Sequence, residues 1–333
     1  MKTLITLSIL LMASVVLAQE DNLTKKVSIS GTVDAYYKTN ITSTDKAIFG
    51  DDADQFQSFG TSFANETGFA LGMANIIAKY EGEKTGVVAD LAFGPRADAA
   101  TGGFNINQLY AYWNVSEGTK ITMGRFNTYI GYEVISPAVN FNYSTSYLFS
   151  SGPFSHVGLK ADFSLSDDFS LMLAAMNVTD ENSNLTGQYA LGAQLGYARQ
   201  FLNLYYDDKA KLGFEIDYTG GFDLTDTFFL GINAAYADNE GNGFYGAALY
   251  PQLAASNAFK VGLRGEYFAQ MVDGISDDQN VFGLTLTGSY TIENLMLKPE
   301  IRLDSNSEEV YFNNDLTPTK SLAAFTLAAI YSF

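Results

Sequence analysis

The 333 residues carry 19 Lys and Arg against 37 Asp and Glu, a net charge of −18, with one histidine and no cysteine. So acidic a chain repels the phosphate backbone of nucleic acid. The missing cysteines exclude a disulfide-stapled secreted fold and a lipidated mature end, and a lone His156 excludes two-histidine metal sites and zinc clusters. With 21 Tyr, 25 Phe and 30 Gly but 6 Pro and 1 Trp, the composition favours strands and turns.

The chain opens "MKTLITLSILLMASVVLAQE". Lys2, an apolar run from Leu4 to Leu17 and the small Ala18 before Gln19 form the three parts of a secretory signal peptide. The run of about 14 residues is shorter than the roughly 20 a spanning helix needs. Residues 1–18 are therefore expected to be removed on export, which takes Lys2 away and moves the net charge from −18 to −19. After Gln19 no window approaches 18 consecutive apolar residues, so spanning helices are excluded.

From Val27 onward short runs alternate apolar and polar residues. Residues 27–38 begin the pattern, and 189–197, 211–219, 259–271 and 295–304 repeat it. In 211–219, "KLGFEIDYT", one face carries Leu212, Phe214, Ile216 and Tyr218, the other Lys211, Gly213, Glu215, Asp217 and Thr219. Successive strand side chains point to opposite faces, so each run has an oily side and a wet side. Two runs are less regular. In 67–80 alternation breaks at Ile76-Ile77, where a bulge is expected. In 119–126 Ile121 and Met123 share a face with Arg125, which the alternation does not explain.

About sixteen strand candidates nearly fill the chain after the leader. Their connections alternate in length: short ones such as 117–118, 166–168, 199–200 and 292–294 trade places with long ones at 41–65, 128–153 and 305–320. Spanning barrels show that asymmetry, and the wet faces are charged, as suits a water-filled lumen. The closing "FTLAAIYSF" places Phe325, Leu327, Ala329 and Tyr331 on one face and ends on Phe333. That ending resembles bacterial outer-membrane barrels, whose terminal Phe the barrel assembly machinery reads. A spanning sheet must close, so the last strand is expected to pair with the first, near Val27. The expected fold is all-β: a transmembrane antiparallel β-barrel of about 16 strands over residues 19–333, with a long infolded loop.

Residues 124–163 carry a more specific resemblance. Gly124-Arg125-Phe126, Ile130 to Glu133, Asn140 to Ser144 and Pro153-Phe154-Ser155-His156 are similar to the β-barrel porin-2 (OmpL-like) family of outer-membrane proteins, as are "LKPEIRLDSNSEEVYF" and "LAAIYSF". The resemblance implies a porin: a passive outer-membrane channel for small hydrophilic solutes and ions, without catalysis or cofactor. In sixteen-strand general porins the third outer loop folds inward. The expectation here is that residues 128–153 do the same, with Asn140, Asn142, Tyr143 and Tyr147 offering neutral polar groups to solutes. A surface cap and a partner-binding epitope are the alternatives for this segment.

Arg125, His156 and Lys160 flank that segment and face its lone carboxylate, Glu133, so these eight residues are the candidate constriction. The expected pore lining adds Asp162, Glu215, Asp217, Arg264, Glu266, Glu300 and Arg302. With Asp34, Asp90, Asp304, Lys38, Lys211, Lys260 and Lys298 the wet faces are nearly balanced in charge, and many of these residues are expected only to brace the wall. The acidic excess then belongs to loops: "GDDADQ", "YYDDK", "ADNEGNG" and "VDGISDDQN". Such loops suit solvation, or divalent cations bridging lipopolysaccharide, although none has calcium-loop spacing. Ser155 and His156 are adjacent on a strand and cannot pair directly, which weakens a hydrolase reading. A solute-selective channel and a plugged structural or adhesive barrel are the alternatives, and a homotrimer is expected by porin analogy alone.

Overall fold

The computed structural model describes residues 26–46 and 57–333; the expected leader at 1–18 and the whole of "GDDADQ" lie outside the described residues. The first half of the barrel comprises β1 (Lys26–Asn40), β2 (Gly68–Glu81), β3 (Thr85–Phe93), β4 (Ile106–Ser116), β5 (Thr119–Asn127), β6 (Ser155–Ser164), β7 (Phe169–Asn177) and β8 (Tyr189–Tyr197). The second half comprises β9 (Gln200–Tyr206), β10 (Phe214–Asp223), β11 (Phe228–Asn239), β12 (Asn242–Ala254), β13 (Phe259–Met271), β14 (Gln279–Ile292) and β15 (Leu295–Asn306). A small hairpin of β16 (Tyr311–Phe312) and β17 (Pro318–Thr319) precedes the last barrel strand, β18 (Ser321–Ser332). Helix α1 (Pro95–Thr101) lies between β3 and β4, and α2 (Tyr147–Ser151) between β5 and β6.

Each barrel strand pairs antiparallel with its chain neighbours, and β18 pairs with both β15 and β1, closing sixteen strands into a ring. The seam runs from Thr32↔Ser332 to Asn40↔Ala324. Phe333 and Gly31 exchange both backbone bonds, at 3.0 and 2.9 Å. Closure leaves no sheet edge to satisfy, which is what a spanning sheet requires. Connections at one end run two to four residues; those at the other reach 27 residues at 41–67 and at 128–154. The β11–β12 connection is an exception at the long-loop end: "ADNEGNG" supplies strand residues around a turn at Glu240-Gly241 rather than a long loop.

Alternation places the oily residues outward. On β15 Ile301 and Leu303 are about half exposed while Lys298, Glu300, Arg302 and Asp304 are buried on the other face. Pro251 and Pro299 lack an N–H, and the ladder lapses beside each: β12–β13 pairing skips from Leu249↔Gly265 to Gln252↔Gly262, and β14–β15 from Thr287↔Glu300 to Tyr290↔Leu297. The bulge of β2 sits earlier than Ile76-Ile77, where pairing passes from Val33↔Ala74 to Ala35↔Leu71. Asp34 holds it, its Oδ1 accepting from Met73 N at 2.8 Å. Only glycine fits beside that carboxylate, since a Cβ on Gly72 would stand 1.7 Å from Asp34 Oδ2.

Gly31 is the tight point of the seam: a Cβ there would lie 2.2 Å from Asn75 O and 2.7 Å from the Phe333 ring. Gly31→Val is expected to force apart β1, β2 and the chain end, costing about 1–3 kcal/mol as overpacking does. The check is the urea midpoint of the refolded barrel; an unchanged midpoint would remove Gly31 from the closure.

Candidate functional site

Residues 128–154 join β5 to β6, and their irregular backbone is bonded to the buried face of strands far away in sequence. Glu300 on β15 accepts from Tyr143 N (2.8 Å) and Ser144 N (3.1 Å). Glu266 on β13 accepts from Tyr147 N (3.0 Å) and Leu148 N (2.8 Å), at the start of α2. Asp217 on β10 accepts from Gly131 N at 3.0 Å. Carbonyls meet cations in the same way. Arg264 Nη1 donates to Ser144 O (2.7 Å), Arg302 Nη1 to Thr145 O (2.9 Å), and Lys298 Nζ to Pro137 O (2.8 Å) and Asn140 O. Arg264, Glu266, Lys298, Glu300, Arg302 and Asp304 are each at most 2 % exposed. Burial of unpaired groups of this kind costs several kcal/mol each, so every bond above offsets a desolvation penalty on both partners.

The segment also carries its own carboxylate. Glu133 Oε1 pairs with Arg264 Nη1 at 2.8 Å, while Oε2 accepts from Ser146 N (2.7 Å) and Oγ (2.8 Å). Ser146 in turn caps α2, its hydroxyl accepting from Phe149 N at 3.0 Å. Asn140 folds back on Val134 N and O, Asn142 Nδ2 donates to Thr287 Oγ1 (2.7 Å), and the Tyr143 hydroxyl donates to Asp34 Oδ2 (2.5 Å). The Tyr147 hydroxyl lies 2.7 Å from Phe59 O, 2.8 Å from Asp304 Oδ2 and 3.2 Å from the Tyr311 hydroxyl, so it joins the 41–67 connection, β15 and the β16–β17 hairpin.

Glycines on the buried face of the wall receive the aromatic side chains. A Cβ on Gly192 would stand 2.4 Å from the Tyr129 hydroxyl, on Gly231 2.3 Å from the Tyr132 hydroxyl, and on Gly262 2.5 Å from Phe141 Cε1. Tyr132 then stacks on Tyr250 of β12, centroids 4.3 Å apart and planes 22° apart.

Comparisons with known proteins fit this architecture. Residues 26–333 match the family model described as "Putative beta-barrel porin-2, OmpL-like". The chain belongs to this porin family. No curated protein matches the sequence. Among solved structures, an anion-selective porin from Comamonas acidovorans is 12 % identical, covering 93 % of this chain and 100 % of its own, at a TM-score of 0.58. A Salmonella typhi OmpF complex with daunomycin is 11 % identical over 93 % and 98 %, at 0.57. An outer-membrane expressed OmpT of Vibrio cholerae is 11 % identical over 94 % and 99 %, at 0.54. At these identities the likeness is one of fold: this porin shares their barrel.

The candidate site residues of the porin separate into two groups. Glu133, Asn140, Asn142, Tyr143 and Tyr147 come together with Arg264, Glu266, Glu300 and Arg302, bonded to one another rather than to open space. Arg125, His156 and Lys160 do not join Glu133. By register Arg125 lies with Leu109 and Met123 on the outward face. Its Nε donates to Asn107 O (3.2 Å) and its Nη1 to Asn182 Oδ1 (2.5 Å), so the guanidinium turns up to the rim. That accounts for its place beside Ile121 and Met123. His156 faces the other way, 1 % exposed, Nε2 3.0 Å from Thr128 Oγ1 and its ring packed on Tyr129 and Tyr205. Lys160 pairs with Asp162 of the same strand at 3.0 Å, both partly exposed. Glu215 is buried with one oxygen unpartnered, whereas Asp217 also accepts from Asn203 (2.6 Å) and Asn233 (2.5 Å). Lys211 lies in the β9–β10 connection, its Nζ donating to Thr179 O at 3.1 Å, and is not a wall residue.

Arg96 of α1 is an anchor the alternation could not reveal. Its guanidinium donates to Ile135 O (3.3 Å) and Tyr143 O (3.0 Å) and lies over the Phe63 and Tyr143 rings. The available signal was its isolation: it is the only base between Lys84 and Lys120.

Arg264→Met removes the partner of a buried carboxylate, a change that costs about 3–5 kcal/mol. The barrel ladder does not depend on it, so the loss is expected to fall on residues 128–154. Limited proteolysis of the refolded variant should cut within that segment at protease levels that leave the wild type whole. Equal resistance in both proteins would show that the Glu133–Arg264 pair does not hold it.

Proposed function

We propose that this porin is a passive diffusion channel for small hydrophilic solutes and ions in the bacterial outer membrane, and that residues 128–154 lie within the lumen and narrow it. The observation that carries the reading is the set of bonds from that segment to β1, β10, β13, β14 and β15, all made on the face opposite the apolar exterior. The segment starts from β5, so it crosses the lumen to reach them and fills the β13–β15 side. The path for water then runs along β2 to β6. There Lys79, Tyr110, Tyr112, Lys120, Lys160 and Asp162 keep partial or full exposure on the lumen face. Wall charge at such a passage sets ion preference.

A narrower, solute-selective channel is the second reading, supported by the near-complete burial of the wall charges on β13–β15. We read no catalytic role: His156 is buried against rings, and its one side-chain hydrogen bond among the described residues is with Thr128. Export through a leader at 1–18, recognition of Phe333 by the assembly machinery, contact with lipopolysaccharide and trimer formation belong to the same proposal. A Vibrio cholerae OmpT structure described as a trimer form, 12 % identical over 92 % of this chain at a TM-score of 0.52, supports no more than the shared fold.

Single-channel recording of the refolded protein in a planar bilayer tests the reading. Replacing residues 133–149 by a short Gly-Ser link is expected to raise conductance in a barrel that remains folded and heat-modifiable on gels. Equal conductance in that folded variant would sink the constriction. Under a salt gradient Lys160→Glu should move the reversal potential toward cations, whereas Arg125→Gln, which alters a rim contact, should leave it in place. A folded, electrically silent wild type would instead mark a plugged barrel.

A further inference from the structure

Between residues 132–142 and the wall of β11 to β15 lies a cavity of about 350 Å³. Phe229, Lys260 and Met296 line it, and they are the second residues of β11, β13 and β15, so it opens toward the short-turn end. Three charged residues border the space: Glu133, Lys260 and Lys298. Both oxygens of Glu133 are taken, one by Arg264 and the other by Ser146. Lys298 spends two of its three N–H donors on Pro137 O and Asn140 O and keeps one. Lys260 is exposed, and its ammonium has no hydrogen bond or ion pair among the described residues. In a chain of net charge −18, this cavity therefore carries an uncompensated positive charge.

Two further features define what fits beside that charge. Asn142 donates through Nδ2 to Thr287, which leaves its buried Oδ1 an acceptor without a donor. The stacked Tyr132 and Tyr250, with Phe141 and Phe229, also border the cavity. We propose that the cavity binds a small hydroxylated carboxylate, a sugar acid of monosaccharide size. Its carboxylate takes Lys260 and the spare N–H of Lys298, a hydroxyl donates to Asn142 Oδ1, and its C–H face lies on the rings. A neutral sugar of the same size forgoes the charged contact, and acetate forgoes the hydroxyl and most of the ring contact. The inference rests on the channel reading and deepens it, since it names a solute held at the short-turn mouth of the barrel, between the wall and the segment that narrows the passage.

Gluconate is the probe, with glucose and acetate as controls, in calorimetric titration of the folded barrel, a readout that does not depend on conduction. Gluconate is expected to bind saturably at concentrations where glucose and acetate give no heat above dilution. Lys260→Gln, an exposed change that spares the fold, should raise the dissociation constant about tenfold, the loss of one charge-assisted bond, and Lys260→Arg should restore it. Binding of gluconate no tighter than of glucose, binding of acetate as tight as of gluconate, or insensitivity to Lys260→Gln each overturns the proposal, whether or not the channel conducts.

Discussion

Backbone groups that leave a ladder and lose water must find other partners. In this porin the partners are charged side chains. Glu300 and Glu266 each take two consecutive N–H groups of residues 128–154, and Lys298, Arg264 and Arg302 take carbonyls from the same stretch. The charged face of β13 and β15 thus substitutes for solvent around a segment with no regular structure beyond the short α2. Everything else about the site follows from that substitution: where the segment lies, which charges are spent, and where space remains.

The spent and unspent charges divide the wall. On β13 and β15 the order Arg264, Glu266 and Lys298, Glu300, Arg302, Asp304 alternates sign along one face, so each charge has an opposite neighbour as well as a backbone partner. Across the barrel, Lys79–Glu81 and Lys160–Asp162 use the same two-residue spacing at 3.0 Å but remain partly exposed. Exposed pairs contribute little to stability and are screened by salt; buried ones cannot lose a partner cheaply. One arrangement of sequence therefore braces on one side and stays wet on the other, and burial alone decides which. The net charge of −18 describes neither side, because acids such as Asp208, Glu240, Asp277 and Asp278 sit in the connections at the long-loop end.

Strand faces were legible because alternation is local. Residues 189–197 and 259–271 are β8 and β13 to the residue, and Asp34, Asp90, Glu215, Glu266 and Arg302 all lie on the face the alternation assigned them. The closing strand was legible for a different reason: a sheet in lipid has to close, and one strand ended the chain. What alternation cannot carry is the identity of a distant partner. Glu300 looked like a lumen charge, yet its partners are Tyr143 and Ser144, more than 150 positions away. The bulge at Gly72-Met73 was misplaced because the cause, the Asp34 carboxylate, stands on another strand. Arg125 defied its face because a long side chain at a strand end can turn to the rim. Gly192, Gly231 and Gly262 read as ordinary strand glycines until the rings that occupy their places are known.

The segment's position is fixed from three directions at once. Charged wall residues hold its backbone, the glycine positions receive Tyr129, Tyr132 and Phe141, and Tyr147 binds it to the 41–67 connection and the β16–β17 hairpin. Contacts that share a body in this way are not additive, since each restricts the freedom that the others would otherwise have to remove. Loss of one anchor then loosens the segment less than its own bonds suggest, while loss of a second removes more. The same restraint bears on the cavity beside Lys260. Its walls are a strand ladder and a loop already immobilised by folding, so the solute proposed for it would order no further chain, and little of its binding energy would go to organising the site.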